Sequence, residues 1–150
     1  MLVVIAEKEE LELLKKVGLQ DHPILITGVG GANVIKALRN LPKNMPIINV
    51  GYCGSNHYAK GTILAISSVK THYKTAQFKE DEINIPILWT EKTQDVAKCY
   101  TSTDFVTETN IKEPCVFDME LAFICSMFDN VQSIKVVSDK CNYQEYKNMG

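Results

Sequence analysis

The stretch PILITGVGGANVIKALRN, residues 23–40, changes its period in the middle. Pro23 to Thr27 is a short, β-rich apolar run. Gly28-Val29-Gly30-Gly31 interrupts it, and Ala32 to Asn40 then carries apolar residues at helical spacing. This is a strand–turn–helix unit, and the rest of the chain repeats its logic. LVVIA (2–6) reads as a buried strand. EKEELELLKKVG (7–18) reads as a helix, with Leu11, Leu14 and Val17 inward and Gly18 as its stop. PIINV (46–50) is another strand that ends in glycine, and GTILAISSVKTHY (61–73) is long and β-rich. INIPILW (83–89) is strand-like, but Pro86 assigns it to an edge or an irregular segment. The polar stretch 90–113 has no readable period. A helix over 118–128 and a strand SIKVV (133–137) follow. Strands alternating with helices predict an α/β layer fold.

At 150 residues the chain is expected to be a single domain, 1–150, with room for a core. A formal charge of −2 gives no pull toward nucleic acid or an anionic membrane. No apolar run approaches the roughly 20 residues of a spanning helix. MLVVIAEKEE lacks a basic leader region and does not read as a signal peptide. Cys53, Cys99, Cys115, Cys125 and Cys141 are odd in number and irregularly spaced. That pattern suits reduced thiols in a cytoplasm rather than a disulfide framework or a zinc site. His22, His57 and His72 form no ligand cluster either, so no metal is expected.

Two features carry chemistry. The loop TGVGGAN lacks the third glycine of a dinucleotide fingerprint, where Asn33 stands, and lacks the lysine of a P-loop. It is either a tight strand-to-helix turn or a loop whose glycines let backbone approach a ligand. VGYCGS (50–55) is a second glycine site after a strand, and ligands of open α/β sheets sit beyond the strand carboxyl ends. The second feature is VFDMELAFICSMF (116–128), whose Met119, Phe123, Ile124, Met127 and Phe128 make one helical face. Asp118 reads as a helix cap. Glu120, at the edge of that face, reads either as a first-turn acid in water or as a carboxylate on a pocket floor.

Taken in order, IAEKEELELL, ILITGVGGANVIKAL, IINVGYCGS, GTILAISSV, STDFV, FDMELAFICSMF and VVSDKCN resemble the nucleoside phosphorylase and nucleosidase family. The branch that they are most similar to is the 5′-methylthioadenosine/S-adenosylhomocysteine nucleosidases. The resemblance spans residues 2 to about 142, and the combination of T-G-V-G-x-A-N, D-M-E and S-D-K is its specific part. It implies a three-layer α/β/α sandwich around a twisted, mixed, largely parallel sheet, shortened relative to the family. It implies purine N-glycosidic hydrolysis without cofactor or metal, a small-molecule nucleoside as ligand, and a homodimer with the active site near the interface.

The resemblance also implies roles. Glu120 matches the glutamate that binds the ribose hydroxyls, and Met119 the methionine under the sugar. Asp139, after Ser138, matches the acid that protonates purine N7, and Glu10 the glutamate that activates water. Phe105 matches an aromatic that stacks on the base, and Val106 the neighbour whose backbone reads the base edge. Gly28 and Gly30 are expected to line the same crevice. The residues taken alone leave plainer readings open: a helix cap for Asp139, a solvated helix face for Glu10, core packing for Phe105.

The chemistry is consistent with those roles. Breaking the bond builds positive charge on the sugar and negative charge on the base. A buried, neutral carboxylic acid can donate a proton to that base, and an ionised carboxylate near the sugar favours the cation-like transition state.

Phosphate as the nucleophile would need a cationic cradle. Of 16 basic residues only Arg39 is arginine, and it lies roughly 10 Å along its helix from the glycine loop. Lys36, Lys60 and Lys70 are the remaining candidates. Hydrolysis is therefore the expected reaction, phosphorolysis the runner-up, and a non-catalytic nucleoside-binding relative a third reading. Tyr52 departs from the family, which usually has a small residue there, and is expected to narrow the nucleophile site or touch the sugar. Only eleven residues follow Asp139, where the family usually has a long final helix.

Overall fold

A computed structural model of the protein describes residues 1–71, 82–103, 105–107, 109 and 111–141. The first strand, β1 (Leu2–Ile5), runs into a 3-10 turn (Lys8–Glu10) and helix α1 (Leu11–Val17). Gly18 ends α1 at φ 77°, the left-handed cap expected of it. Leu13, Leu14 and Val17 face inward, and Leu11 is 41% exposed. This corrects the expected inward set. The α-helix starts only at Leu11, so its buried face is phased on Leu13.

Strand β2 (Ile24–Ile26), the glycine turn and helix α2 (Gly31–Leu38) follow the reading of residues 23–40. Strand β3 (Ile47–Ser55) runs through both glycines of VGYCGS instead of stopping before them. β4 is Ile63–Thr71; the expected strand's last residues, His72 and Tyr73, lie outside the described residues. β5 is only Ile83–Asn84, paired to β4 alone, which is where Pro86 permits an edge. β6 (Asp95–Thr101) lies in the stretch without readable period. β7 (Val116–Asp118) takes Asp118, the first residue of the helix expected over 118–128, and helix α3 (Leu121–Met127) starts after Glu120. β8 (Val131–Asp139) completes the sheet.

The fold is mixed α/β with a central sheet. β1 pairs in parallel with β2 and β3, β3 with β8, and β6 with both β4 and β7. β3–β7, β4–β5 and β4–β8 are antiparallel. The pairings β3–β7–β6–β4–β8–β3 form a closed ring of five strands, with β1 and β2 continuing outward from β3. Nothing in the sequence pattern announces this closure. It is accompanied by register shifts at Cys53/Gly54 in β3 and between Ile66 and Ser68 in β4, the kind of irregularity that bends strands.

Two apolar clusters flank the β1/β3/β8 region. Leu13, Leu14 and Val17 of α1 pack on Val3, Ile5, Ile48, Val50, Ile134 and Val136. Val34 and Leu38 of α2, with Leu121, Ala122 and Ile124 of α3, pack on Val4, Ile47, Leu64, Ile66 and Val137. The strands bury both faces, which is why they read as near-continuous apolar runs.

Candidate functional site

The carboxyl ends of β1, β2, β3 and β8 point to one side, and the loops after them meet in a crevice. Counting its open mouth, it encloses about 400 Å³, and Glu10, Tyr52, Phe105, Met119, Glu120 and Asp139 are among its lining residues. The fold gathers them from Glu10 near one end of the chain to Asp139 near the other. Val106 lines an adjoining hollow shared with Gly54, Phe105 and Met119. Gly28 and Gly30 are not in the crevice lining; Val29, between them, is.

Glu10 closes one end. Its Oε1 accepts the N–H groups of Ala6 (2.8 Å) and Glu7 (3.1 Å), and its Oε2 accepts that of Tyr52 (2.7 Å). It is 5% exposed, so the plain reading as a solvated helix face does not hold. Burial pushes its carboxyl up, while Lys135 and the three N–H groups oppose that rise. Tyr52 contributes through its backbone. Its ring packs on the α1 cluster, on the face opposite the crevice-facing Cys53.

Asp139 is the last residue of β8, lines the same crevice and is fully buried. The Ser138 hydroxyl donates to its Oδ2 at 2.7 Å. Ser138 is itself buried, so it serves as the neighbour of Asp139 rather than as lining. The alternative reading of Asp139, a cap for a helix over CNYQEYK (141–147), concerns residues that beyond Cys141 lie outside the described ones.

Glu120 is the residue before α3, and its Oε2 accepts the Gly30 N–H at 2.8 Å. It is 8% exposed and hence a floor residue rather than an acid in water. Burial, then the Asp118 carboxylate, push it up toward its neutral form, against Lys135 and the Gly30 N–H.

The sequence reading missed Lys135. Its side chain is 1% exposed, and Nζ lies 2.9 Å from Asp118 Oδ2. Asp118 also accepts the Leu121 N–H (2.8 Å) and the Glu120 N–H (3.3 Å), so it caps α3 from within β7. Burial alone would raise Asp118, but Lys135, Thr101 and Leu121 more than offset that and hold it low. Burial would lower Lys135, and Asp118 foremost holds it above the ordinary range. The available signal was a lone lysine in a run, SIKVV, whose residues on both faces are apolar. The lysines considered in the sequence, Lys36, Lys60 and Lys70, and Arg39 all lie outside the crevice lining.

No family model matches the chain, and no curated protein sequence matches it significantly. Solved structures do match. A methylthioadenosine/S-adenosylhomocysteine nucleosidase (MTAN) from Chlamydia trachomatis superposes with a TM-score of 0.75 at 19% identity, over 98% of this chain and 87% of that one. The enzyme from Neisseria meningitidis, solved with methylthio-immucillin-A, gives 0.73 at 15% over 99% and 90%. That from S. pneumoniae, with a transition-state inhibitor, gives 0.70 at 16% over 98% and 90%. The fold is that of these nucleosidases.

Within this nucleosidase fold the approach of Glu10 to β3 depends on Gly51. A Cβ there would sit 2.6 Å from Glu10 Oε2 and 3.3 Å from Lys135 Nζ. Glu10 is held by three N–H groups and cannot swing away without losing them. Gly51→Ala is therefore expected to keep the sheet and displace the Glu10 carboxylate. The Ala6 and Tyr52 amides, which donate to Glu10, report that displacement: in Gly51→Ala their NMR shifts are expected to move while the melting temperature changes little.

Proposed function

We propose that the protein hydrolyses the N-glycosidic bond of a purine nucleoside of the 5′-methylthioadenosine/S-adenosylhomocysteine type. One observation carries the reading. Glu10, Glu120 and Asp139, far apart in sequence, line one crevice at the strand ends of a nucleosidase fold. Water attacks the anomeric carbon as the carbon–nitrogen bond to the base breaks. Glu10 takes the proton of the water, and Asp139 supplies one to the departing base. Glu120 grips the ribose hydroxyls, with Met119 under the sugar, and Phe105 and Val106 hold the base. As the sugar becomes cationic, it favours the ionised form of Glu120, which burial disfavours.

Water rather than phosphate is supported by charge. The lining includes Glu7, Glu10, Asp118, Glu120 and Asp139, and among the described residues no lysine or arginine. Lys135, the buried cation nearby, is bound by Asp118. A divalent anion would meet repulsion here. The test is adenine release from 5′-methylthioadenosine by purified protein, with and without phosphate. Equal release in both is expected. Release only with phosphate means a phosphorylase, and no release from any purine nucleoside means a non-catalytic relative.

Three further readings belong with this one. With α1 on one face and α2 and α3 on the other, the β1/β3/β8 region reads as the middle of three layers. A homodimer is expected, because Ile24 and Ile26 of edge strand β2 and Ile35 of α2 are 38%, 46% and 49% exposed. Sedimentation at micromolar concentration checks it, and a monomer would contradict it. A cytoplasmic location fits the five free thiols, and among the described residues no helix is long and apolar enough to cross a membrane.

A further inference from the structure

Asp118 is surrounded by donors. Beyond Lys135 and the two N–H groups of α3, its Oδ1 accepts the Thr101 hydroxyl and, at 3.3 Å, the Cys99 thiol. Thr101 is the last residue of β6 and is 1% exposed. Its oxygen accepts the Ala122 N–H at 2.9 Å. One hydroxyl thus ties three elements together: β6 that carries it, β7 through Asp118, and α3 through Ala122. Its proton has a fixed direction, because the amide must be the donor on the other side.

Two side chains, Asp118 and Thr101, anchor the first turn of α3. The N–H groups of Glu120 and Leu121 go to Asp118, and that of Ala122 goes to Thr101. Glu120 itself makes no side-chain cap, since its carboxylate reaches away to Gly30. Where that carboxylate stands in the crevice therefore follows from where the turn is held.

We infer that Thr101 is a positioning residue for Glu120: through Asp118 and Ala122 it fixes the first turn of α3, and with it the reach of Glu120 to Gly30 and to the bound sugar. The kinetic part of this rests on the nucleosidase reading; the placement of Glu120 does not. Valine has the shape of threonine and neither donates nor accepts, whereas serine keeps the hydroxyl.

The experiment compares Thr101→Val and Thr101→Ser with the wild type in two readouts. The first is the Gly30 amide by NMR, in chemical shift and hydrogen exchange, which reports its bond to Glu120 without any turnover. The second is the kinetics of adenine release. In Thr101→Val the Gly30 amide is expected to move and lose protection, and kcat/KM to fall by about 10²-fold, chiefly through KM. Thr101→Ser should retain both. If Thr101→Val does not fold, Thr101→Cys, with its weaker donor and acceptor, is read in the same way. A Thr101→Val protein that melts earlier but keeps the Gly30 amide unchanged overturns the inference, because Thr101 would then only stabilise the fold. If the wild type releases no base, the nucleosidase reading fails, and the Gly30 amide alone still decides the role of Thr101.

Discussion

Asp139→Asn is expected to fold like the wild type and to release adenine from 5′-methylthioadenosine about 10²- to 10⁴-fold more slowly, the usual contribution of a positioned general acid. The fold should survive because asparagine has the same shape. The carbonyl oxygen of its amide can still accept the Ser138 hydroxyl, now 2.7 Å from Asp139 Oδ2. What is lost is a proton to give to the base. Asp139 is fully buried, and Gly54 leaves it little space: a Cβ there would lie 2.9 Å from Asp139 Oδ1. Full activity in Asp139→Asn would defeat the catalytic assignment.

Glu120→Gln should differ in kind. Its amide oxygen can still accept the Gly30 N–H, so the turn should hold. On the nucleosidase reading a charged hydrogen bond to the sugar is lost, worth roughly 1.5–3 kcal/mol, and both KM and kcat should suffer. Base release by the two variants, measured side by side, separates proton donation from sugar grip.

The parts of this site that could be read from the sequence are those with a local signature. A strand followed by Gly28, Gly30 and a helix is legible because period and turn chemistry are both local. Asp-Met-Glu is legible because two acids break an apolar run, and Glu120 is buried in the crevice lining. β6 escaped because the residues it buries, Ala97, Cys99 and Thr101, are small or polar, while Lys98 points outward. Inside a five-stranded ring there is room for little more, and a small inward side chain leaves a weak alternation. β7 is three residues long and lies only two residues before α3, too short a run to carry a strand period of its own. Ring closure depends on β3 meeting β7 and β4 meeting β8, pairings between distant segments that carry no local mark. Lys135 was hidden for a related reason. One lysine in a strand reads as the solvent face, and only the partner brought by β7 explains its burial.

That partner makes Lys135→Met the largest expected change in stability. The Lys135–Asp118 pair is out of water, with side chains 1% and 0% exposed. Removing one member of such a pair leaves an uncompensated charge, which typically costs about 3–5 kcal/mol. Thr101, Cys99 and the N–H groups of Glu120 and Leu121 would still donate to Asp118. They supply dipoles and no net charge, so they reduce the cost without removing it. For a chain of this size the loss corresponds to a melting temperature lower by roughly 6–20 °C. Lys135→Met combined with Asp118→Leu should regain part of that, because the stranded charge is gone, and should stay below the wild type, because the Thr101 hydroxyl and the Glu120 and Leu121 N–H groups lose their acceptor. The regain is a coupling between the two positions, read as a double-mutant cycle in urea unfolding. The double variant should still lack activity, since Asp118→Leu takes from the N–H groups of Glu120 and Leu121 their acceptor. Stability regained in part without activity is the combination that separates the two functions of the pair: it holds the fold by charge neutralisation, and it holds the crevice by capping α3. A single Lys135→Met variant as stable as the wild type would mean that Asp118 takes up a proton in its place, at no cost to the fold.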